Sequence, residues 1–270
     1  DAAMIRANEL REKVNRHKFY GQEMLPQGNL TISIGVCGRQ DKDDTIRALI
    51  ERADMALYKA KCFRKNRVEL YSSIFDRFTH LDAKSDESMI PIKSLITIIN
   101  SRDRYTYCHT ERVVFYCEAF ADYTCMSEDD RRKLVYSAYL HDIGKINVSK
   151  QTLISEKKLN EDEWREIQKH PIDGADIIRY MNNLDGIAEI VLQHHERYDG
   201  RGYPRGLKGT QINSFARILA VADSFDAMTS KRPYQDRRAI SDAFAEIRRC
   251  EGTQFDPEIA EEFIKTMDNI

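Results

Sequence analysis

The chain has 270 residues, enough for one large domain or roughly two of ordinary size at the usual ~150 residues each. Hydrophobic residues make up 41% and charged residues 32%, and 42 Lys+Arg against 44 Asp+Glu leave a formal net charge of -2, so no long-range field favours bulk nucleic acid or an anionic membrane surface. No apolar run approaches the ~18 residues of a membrane span, and the opening DAAMIRANELREKV is charged where a signal peptide would be apolar; the expectation is a soluble, cytoplasmic chain with no membrane contact.

From Ala2 to about Lys18 the apolar spacing predicts a helix. Leu30, Ile32, Ile34 and Val36 then alternate with Thr31 and Ser33, which predicts a strand. After the polar turn GRQDKDD, Ile46, Leu49, Ile50, Ala53, Leu57 and Ala60 recur at three and four and predict one helical stripe, and VELY can return as a second strand. Residues 1–71 thus read as part of an α/β unit with too few strands to close a sheet. The chain begins on Asp1 with no obvious cap before its first helix, so it reads as a fragment of a larger protein. TISIGV followed by ERADMALYKAKCFRKNRV resembles the C-terminal half of a GGDEF diguanylate cyclase domain. That resemblance implies a GTP- and metal-binding signature upstream of Asp1, so no cyclase activity is expected here. Ala60, Lys61, Arg64, Lys65 and Asn66 also depart from the family's usual A-K-x-x-G-R-N, and the segment reads as a scaffold remnant.

Residues 72–88, SSIFDRFTHLDAKSDES, are polar and predict a linker helix that could pair in a homodimer. Residues 89–270 show no strand alternation. Helices are predicted over Pro91 to Ile99, His109 to Tyr123, Glu128 to His141, Asp162 to His170, Gly186 to His195, Phe215 to Thr229, Ile240 to Arg249 and Pro257 to Met267. Ser127 with Asp130, and Asn160 with Glu163, have the spacing of N-terminal caps. The predicted fold is mainly α, a helical bundle preceded by the partial α/β segment. The 6 cysteines never fall in a C-x-x-C spacing, which argues against a zinc knuckle; most read as core thiols.

Six of the 7 histidines lie after residue 75, and most of these sit near the ends of predicted helices on their apolar faces. His109 shares a stripe with Val113, Cys117 and Phe120. His141 follows Leu134 and Ala138 with Asp142 beside it, His170 follows Trp164 and Ile167, and His194 follows Ile187 and Val191 with His195 next to it. Asp223 lies in the apolar run ARILAVADSF, where a carboxylate needs a positive partner. One inward histidine is ordinarily a hydrogen-bonded core residue. Five histidines and two aspartates converging on one interior are tolerated mainly when a cation compensates them, and imidazole with carboxylate suits iron, manganese, zinc or nickel.

His141-Asp142-Ile143-Gly144-Lys145, then Lys169-His170-Pro171, then HHERYDGRGYP from His194 to Pro204, then AVADSFDAMTSKRPY resemble the HD-GYP family of cyclic di-GMP phosphodiesterases. The resemblance implies that His109, His141, Asp142 and Asp223 hold one metal and His170, His194 and His195 the other, with Asp142 bridging. A third metal in some members needs a glutamate where this chain has Tyr105, so two divalent transition-metal ions, Fe or Mn, are expected. Asp142 and Lys145 are the catalytic candidates, Lys145 reaching the scissile phosphate. Gly202, Tyr203 and Pro204 could present a flat apolar edge to a guanine. Arg232 resembles a phosphate contact, although Gln235 replaces a basic residue common after RPY. The implied reaction is hydrolysis of cyclic di-GMP to linear pGpG, with the resemblance leaving open whether the product is pGpG or GMP. The alternatives are a receptor that binds cyclic di-GMP without turnover, and an HD-superfamily phosphohydrolase acting on another nucleotide.

Overall fold

The computed structural model describes residues 2–25, 28–39, 45–62, 65–71, 104–153, 159–181, 184, 186–230 and 238–269. The predicted linker at 72–88, the predicted helix from Pro91 to Ile99 and Arg232 lie outside them. The chain divides into two compact units, residues 1–83 and 84–270, described separately below.

In the first unit, α1 (Ala2–Arg16) is followed by β1 (Ile34–Val36), α2 (Ile46–Cys62) and β2 (Val68–Leu70). β1 and β2 pair in parallel, Ile34 opposite Val68 and Val36 opposite Leu70, with α2 as the crossover. Leu30 and Ile32, predicted in the strand, fall before it. The partner backbone turns away at Lys65 and Asn66, both at positive φ, so residues before Ile34 have no ladder to join. A Cβ on Gly35 would stand 2.2 Å from the carbonyl oxygen of Ala53, so glycine lets α2 lie directly on β1. Ile46 and Ile50, predicted on the inward stripe of α2, are exposed, since two short strands cannot cover the whole face of a helix of this length.

The second unit is helical among the described residues. α3 (Arg104–Tyr123) and α4 (Glu128–Leu140) lead to a 3-10 turn at Ile143–Asn147, and α5 (Lys150–Leu153), α6 (Glu161–Gln168), α7 (His170–Arg179) and α8 (Ile187–Gln193) follow. α9 (Ser214–Thr229), α10 (Ile240–Arg249) and α11 (Pro257–Asp268) complete it. Both predicted caps form. The Asp130 N–H donates to Ser127 Oγ, and Asn160 makes a reciprocal capping box with Glu163. The helix predicted from Asp162 to His170 is α6, ending two residues early, and a further helix, α7, follows it that was not predicted. Pro171 has no N–H and fits the first turn of a new helix, so α6 stops at Gln168 and α7 begins at His170. Trp164, predicted inward on the stripe of His170, is 49% exposed because the two residues sit on different helices.

α9 packs against α3, α10 and α11, and α8 against α4 and α7. Phe225 of α9 meets Tyr116 of α3 and Phe263 of α11 edge to face and stacks on Phe244 of α10. Val113, Val114 and Cys117 of α3 and Leu219, Val221 and Ala222 of α9 are all fully buried. This apolar seam holds the inward edges of α3 and α9 in register, which matters because each edge carries polar groups at the centre described next.

Candidate metal centre

Helix ends deliver most of the centre. His141 caps α4, His194 caps α8, and His170 follows the last residues of α6, so each ring lies over a carbonyl of the helical turn that precedes it. His141 Nδ1 donates to the Ala138 carbonyl at 2.7 Å, His170 Nδ1 to that of Ile167 at 2.6 Å and His194 Nδ1 to that of Val191 at 2.5 Å. With Nδ1 protonated, Nε2 keeps its lone pair and points inward. His109 sits inside α3, where carbonyls are already paired, and its Nδ1 lies 2.8 Å from Oδ2 of Asp226.

The inward nitrogens form two groups. His109 Nε2 lies 3.2 Å from His141 Nε2 and 3.3 Å from Asp223 Oδ1. His170 Nε2 lies 3.3 Å from His194 Nε2, and the His195 ring centroid is 5.0 Å from that of His170. Asp142 stands between the groups. Its Oδ2 is 3.5 Å from His141 Nε2 and 3.9 Å from His109 Nε2, while its Oδ1 is 3.5 Å from His170 Nε2. Ligand atoms of His109, His141 and Asp142 lie within 4.8 Å of one another, as do those of His170, His194 and His195. Neutral imidazole lone pairs this close repel one another, and nitrogen and carboxylate donors on a buried, converging set suit divalent transition ions. The residues present therefore fit such a group.

Electrostatics divides the centre in the same way. Burial, helped by Lys145, pushes His170 down to about 3, and burial with His141 nearby pushes His194 down to about 4. Burial and the neighbouring His194 and His170 hold His195 well below the usual imidazole range. These three are neutral donors at neutral pH. Burial also opposes charge on His109, but the hydrogen bond and charge of Asp226, with Asp223 and Asp142, push it up. Burial would raise the Asp142 carboxyl, yet Lys145, His141, His170 and His109 hold it well below the usual carboxylate range.

Lys145 lies in the 3-10 turn with its ammonium 2.6 Å from Asp142 Oδ2. A Cβ on Gly144 would stand 2.0 Å from the His170 carbonyl oxygen, so glycine allows this turn to press against α7. The loop after His195 folds back on the centre. The Tyr203 N–H donates to the His195 carbonyl at 3.2 Å, the two rings are 4.9 Å apart, and Tyr203-Pro204 is a cis peptide. A Cβ on Gly202 would meet the Arg197 nitrogen at 2.2 Å. Glu196, buried, accepts from the Arg205 and Leu207 N–H groups at 2.7 and 3.0 Å and holds the loop closed.

Asp223 faces His109 and is 19% exposed, whereas the fully buried carboxylate is Asp226, one turn on. Asp226 accepts from Arg112 Nε at 2.5 Å and Nη2 at 3.0 Å, and Ser230 Oγ lies 3.0 Å away. Sequence reasoning passed over Asp226, Arg112 and Glu196. The available signal was spacing, since Arg112 stands three after His109 and Asp226 three after Asp223, on the same helical faces. The backbone of Tyr105 lies in α3, but its side chain is outside the described residues.

Comparison with known proteins bears on the same residues. Residues 93–259 match the family model described as HD domain, and residues 1–67 match that described as diguanylate cyclase, GGDEF domain. A Thermotoga maritima protein named cyclic di-GMP phosphodiesterase is 42% identical over 166 residues, covering 61% of this chain and 45% of that protein. A Vibrio cholerae protein named 3'3'-cGAMP-specific phosphodiesterase 3 is 38% identical over 161 residues, covering 60% of this chain and 35% of that protein. A cyclic di-GMP phosphodiesterase response regulator of Xanthomonas campestris is 37% identical over 176 residues, covering 64% and 47%. The chain thus spans less than half the length of these curated relatives. Among solved structures, an HDG"Y"P protein from Bdellovibrio bacteriovorus superposes with a TM-score of 0.52 at 15% identity, covering 85% of this chain and 75% of that one, a likeness of fold.

Proposed function

The chain belongs to the HD domain family, and from that premise we propose that it is a metal-dependent phosphodiesterase hydrolysing cyclic di-GMP to pGpG or GMP. The observation that carries the reading is Asp142, whose two carboxylate oxygens are divided between the His109–His141 group and His170. His109, His141, Asp142 and Asp223 would hold one ion, and His170, His194, His195 and Asp142 the other, with iron or manganese as the metal. Two divalent ions held there would supply Lewis acidity toward the phosphoryl oxygens and a water made acidic enough to attack in line at neutral pH.

The protein's own residues do the rest. The pinned Nδ1–H groups of His141, His170 and His194 turn each Nε2 inward, and the depressed His170 and His194 need lose no proton before the site can be loaded. Lys145, 30% exposed at its side chain, can turn from Asp142 toward a phosphate oxygen and meet charge that grows in the transition state. Tyr203 and Pro204, held against His195, offer an apolar edge to a guanine base, and Gly202 sets how close that edge comes.

The relatives named for 3'3'-cGAMP support a second reading in which another cyclic dinucleotide is the better substrate. One experiment tests both. Protein purified anaerobically is assayed for metal by elemental analysis and for hydrolysis of cyclic di-GMP, 3'3'-cGAMP and cyclic di-AMP, with products resolved by chromatography. Metal with cyclic di-GMP turnover supports the main reading, preference for 3'3'-cGAMP supports the second, and metal with binding but no product points to a receptor.

A further inference from the structure

We propose that Asp226, which is not placed as a ligand, is a positioning residue that fixes which nitrogen of His109 faces the metal, and thereby sets the affinity of one of the two metal positions and not the other. The inference rests on the two-metal reading above. His141, His170 and His194 each solve the orientation of their rings locally, by donating Nδ1–H to a carbonyl three residues earlier at a helix end. His109 has no such carbonyl, because it lies inside α3. Its acceptor comes instead from α9, where Asp226 Oδ2 lies 2.8 Å from Nδ1.

The carboxylate is built for this one task. Its side chain is completely buried, and its other contacts are with donors: the Arg112 guanidinium grips both oxygens, and the Ser230 hydroxyl reaches Oδ1. An ionised carboxylate only accepts, so His109 must present a hydrogen on Nδ1, and Nε2 is then the nitrogen that faces His141 and Asp223. Arg112 stands one turn from His109 on the same helix, so the pair grips Asp226 from one face of α3 and locks the plane of the carboxylate. A carboxylate behind a ligating imidazole also makes that imidazole a stronger base toward a metal than a backbone carbonyl does. The His109 position therefore has a charged support that the rings of His170 and His194, backed by carbonyls, do not share. A merely structural ion pair would behave differently, changing stability without distinguishing the two metal positions.

The test is titration of Mn(II) into the metal-stripped full chain by calorimetry, with stoichiometry from elemental analysis, for wild type and Asp226→Asn. We expect one Mn(II) equivalent to weaken by about 10 to 100-fold in the variant while the other stays within about threefold. Unchanged affinity at both positions, or equal weakening at both, overturns the proposal. A wild-type protein that takes up no Mn(II) overturns the two-metal reading itself, before any variant is compared. Should Asp226→Asn fail to fold, nitrogen-15 NMR of the Zn(II)-loaded wild type still decides: the proposal requires His109 to carry its proton on Nδ1, and a proton on Nε2 refutes it.

Discussion

The ammonium of Lys145 lies 2.6 Å from Oδ2 of Asp142, the carboxylate oxygen that faces His109 and His141. The lysine thus stands three residues beyond the group that lies between the two histidine clusters, with its own side chain partly exposed. Its charge helps hold the Asp142 carboxyl low and push the His170 ring down.

Lys145→Ala should therefore retain both metals and lose rate, mainly in kcat, by ~10 to 1,000-fold if the contact strengthens in the transition state. Lys145→Arg should restore only part of the rate, because a planar fork replaces a compact point charge. Metal stoichiometry and steady-state kinetics on the same preparations check this. Loss of metal in Lys145→Ala would make the lysine a support of the site, and no change in either quantity would make it a bystander.

Asp142→Asn should abolish turnover and lower metal content, since the amide is a neutral, weaker ligand and would leave two cations with no charge between them. Outer hydrogen-bond partners of metal ligands are worth about 10 to 100-fold in affinity, so loss of this ligand should exceed about 100-fold. His141→Ala should do the same to the His109 side first. Elemental analysis of the variants after gel filtration is the measurement, and full metal with full activity in Asp142→Asn would remove the residue from the site.

Much of this centre was legible because its histidines fall where helix periodicity and helix ends coincide. His141, His170 and His194 could be placed inward from apolar residues at three and four before them. The helix from His170 to Arg179 is absent from the sequence reading, although a proline one residue in is the mark of a first turn. Asp226 was missed for a different reason. In ARILAVADSFDAMT both aspartates look like intrusions into an apolar face, and only the distance to Arg112, 114 residues earlier, shows which one carries the buried charge pair. Local patterning reports which way a side chain points, but not which distant cation waits there. In the first unit the exposed Ile46 and Ile50 show the converse, an apolar stripe whose covering strands are too few among the described residues.

The depressed imidazoles predict acid sensitivity of the metal-free protein. A free imidazole has a value of 6.5, whereas His170 is pushed down to about 3 and His194 to about 4. Between those limits the unfolded chain binds more protons than the folded one, so stability rises with pH and is lost as the pH falls below 6.5. His109, pushed up, contributes above that window rather than within it, and Asp226, held down to about 2, contributes only as the pH falls below the 3.8 of a free carboxylate. The melting temperature of chelator-treated protein should therefore drop from pH 6.5 to 4.5, and His170→Ala should flatten the slope. A melting temperature that does not change over that interval would mean that these rings are protonated in the fold.

The last expectation separates the loop from the histidines it covers. A Cβ on Gly202 would stand 2.2 Å from the Arg197 nitrogen and 2.5 Å from the Glu196 Cα, backbone atoms that cannot yield without moving the segment after His195. Gly202→Ala must instead displace the loop outward, straining the grip of Glu196 on Arg205 and Leu207 and pulling Tyr203 off the His195 carbonyl. Overpacking of this kind costs about 1–3 kcal/mol in stability. The rings of His194 and His195 precede the strained turn, and His194 is anchored independently through Val191, so both metals should remain. If Tyr203 and Pro204 form the edge that a guanine meets, KM should rise about tenfold, equivalent to ~1.4 kcal/mol of lost binding. Kinetics with metal analysis on the same sample decides between two roles. A raised KM at full metal content makes the loop a substrate edge. Metal lost in step with activity makes it a strut of the His194–His195 segment, and unchanged KM and melting temperature would show that the close approach at Gly202 is not needed at all.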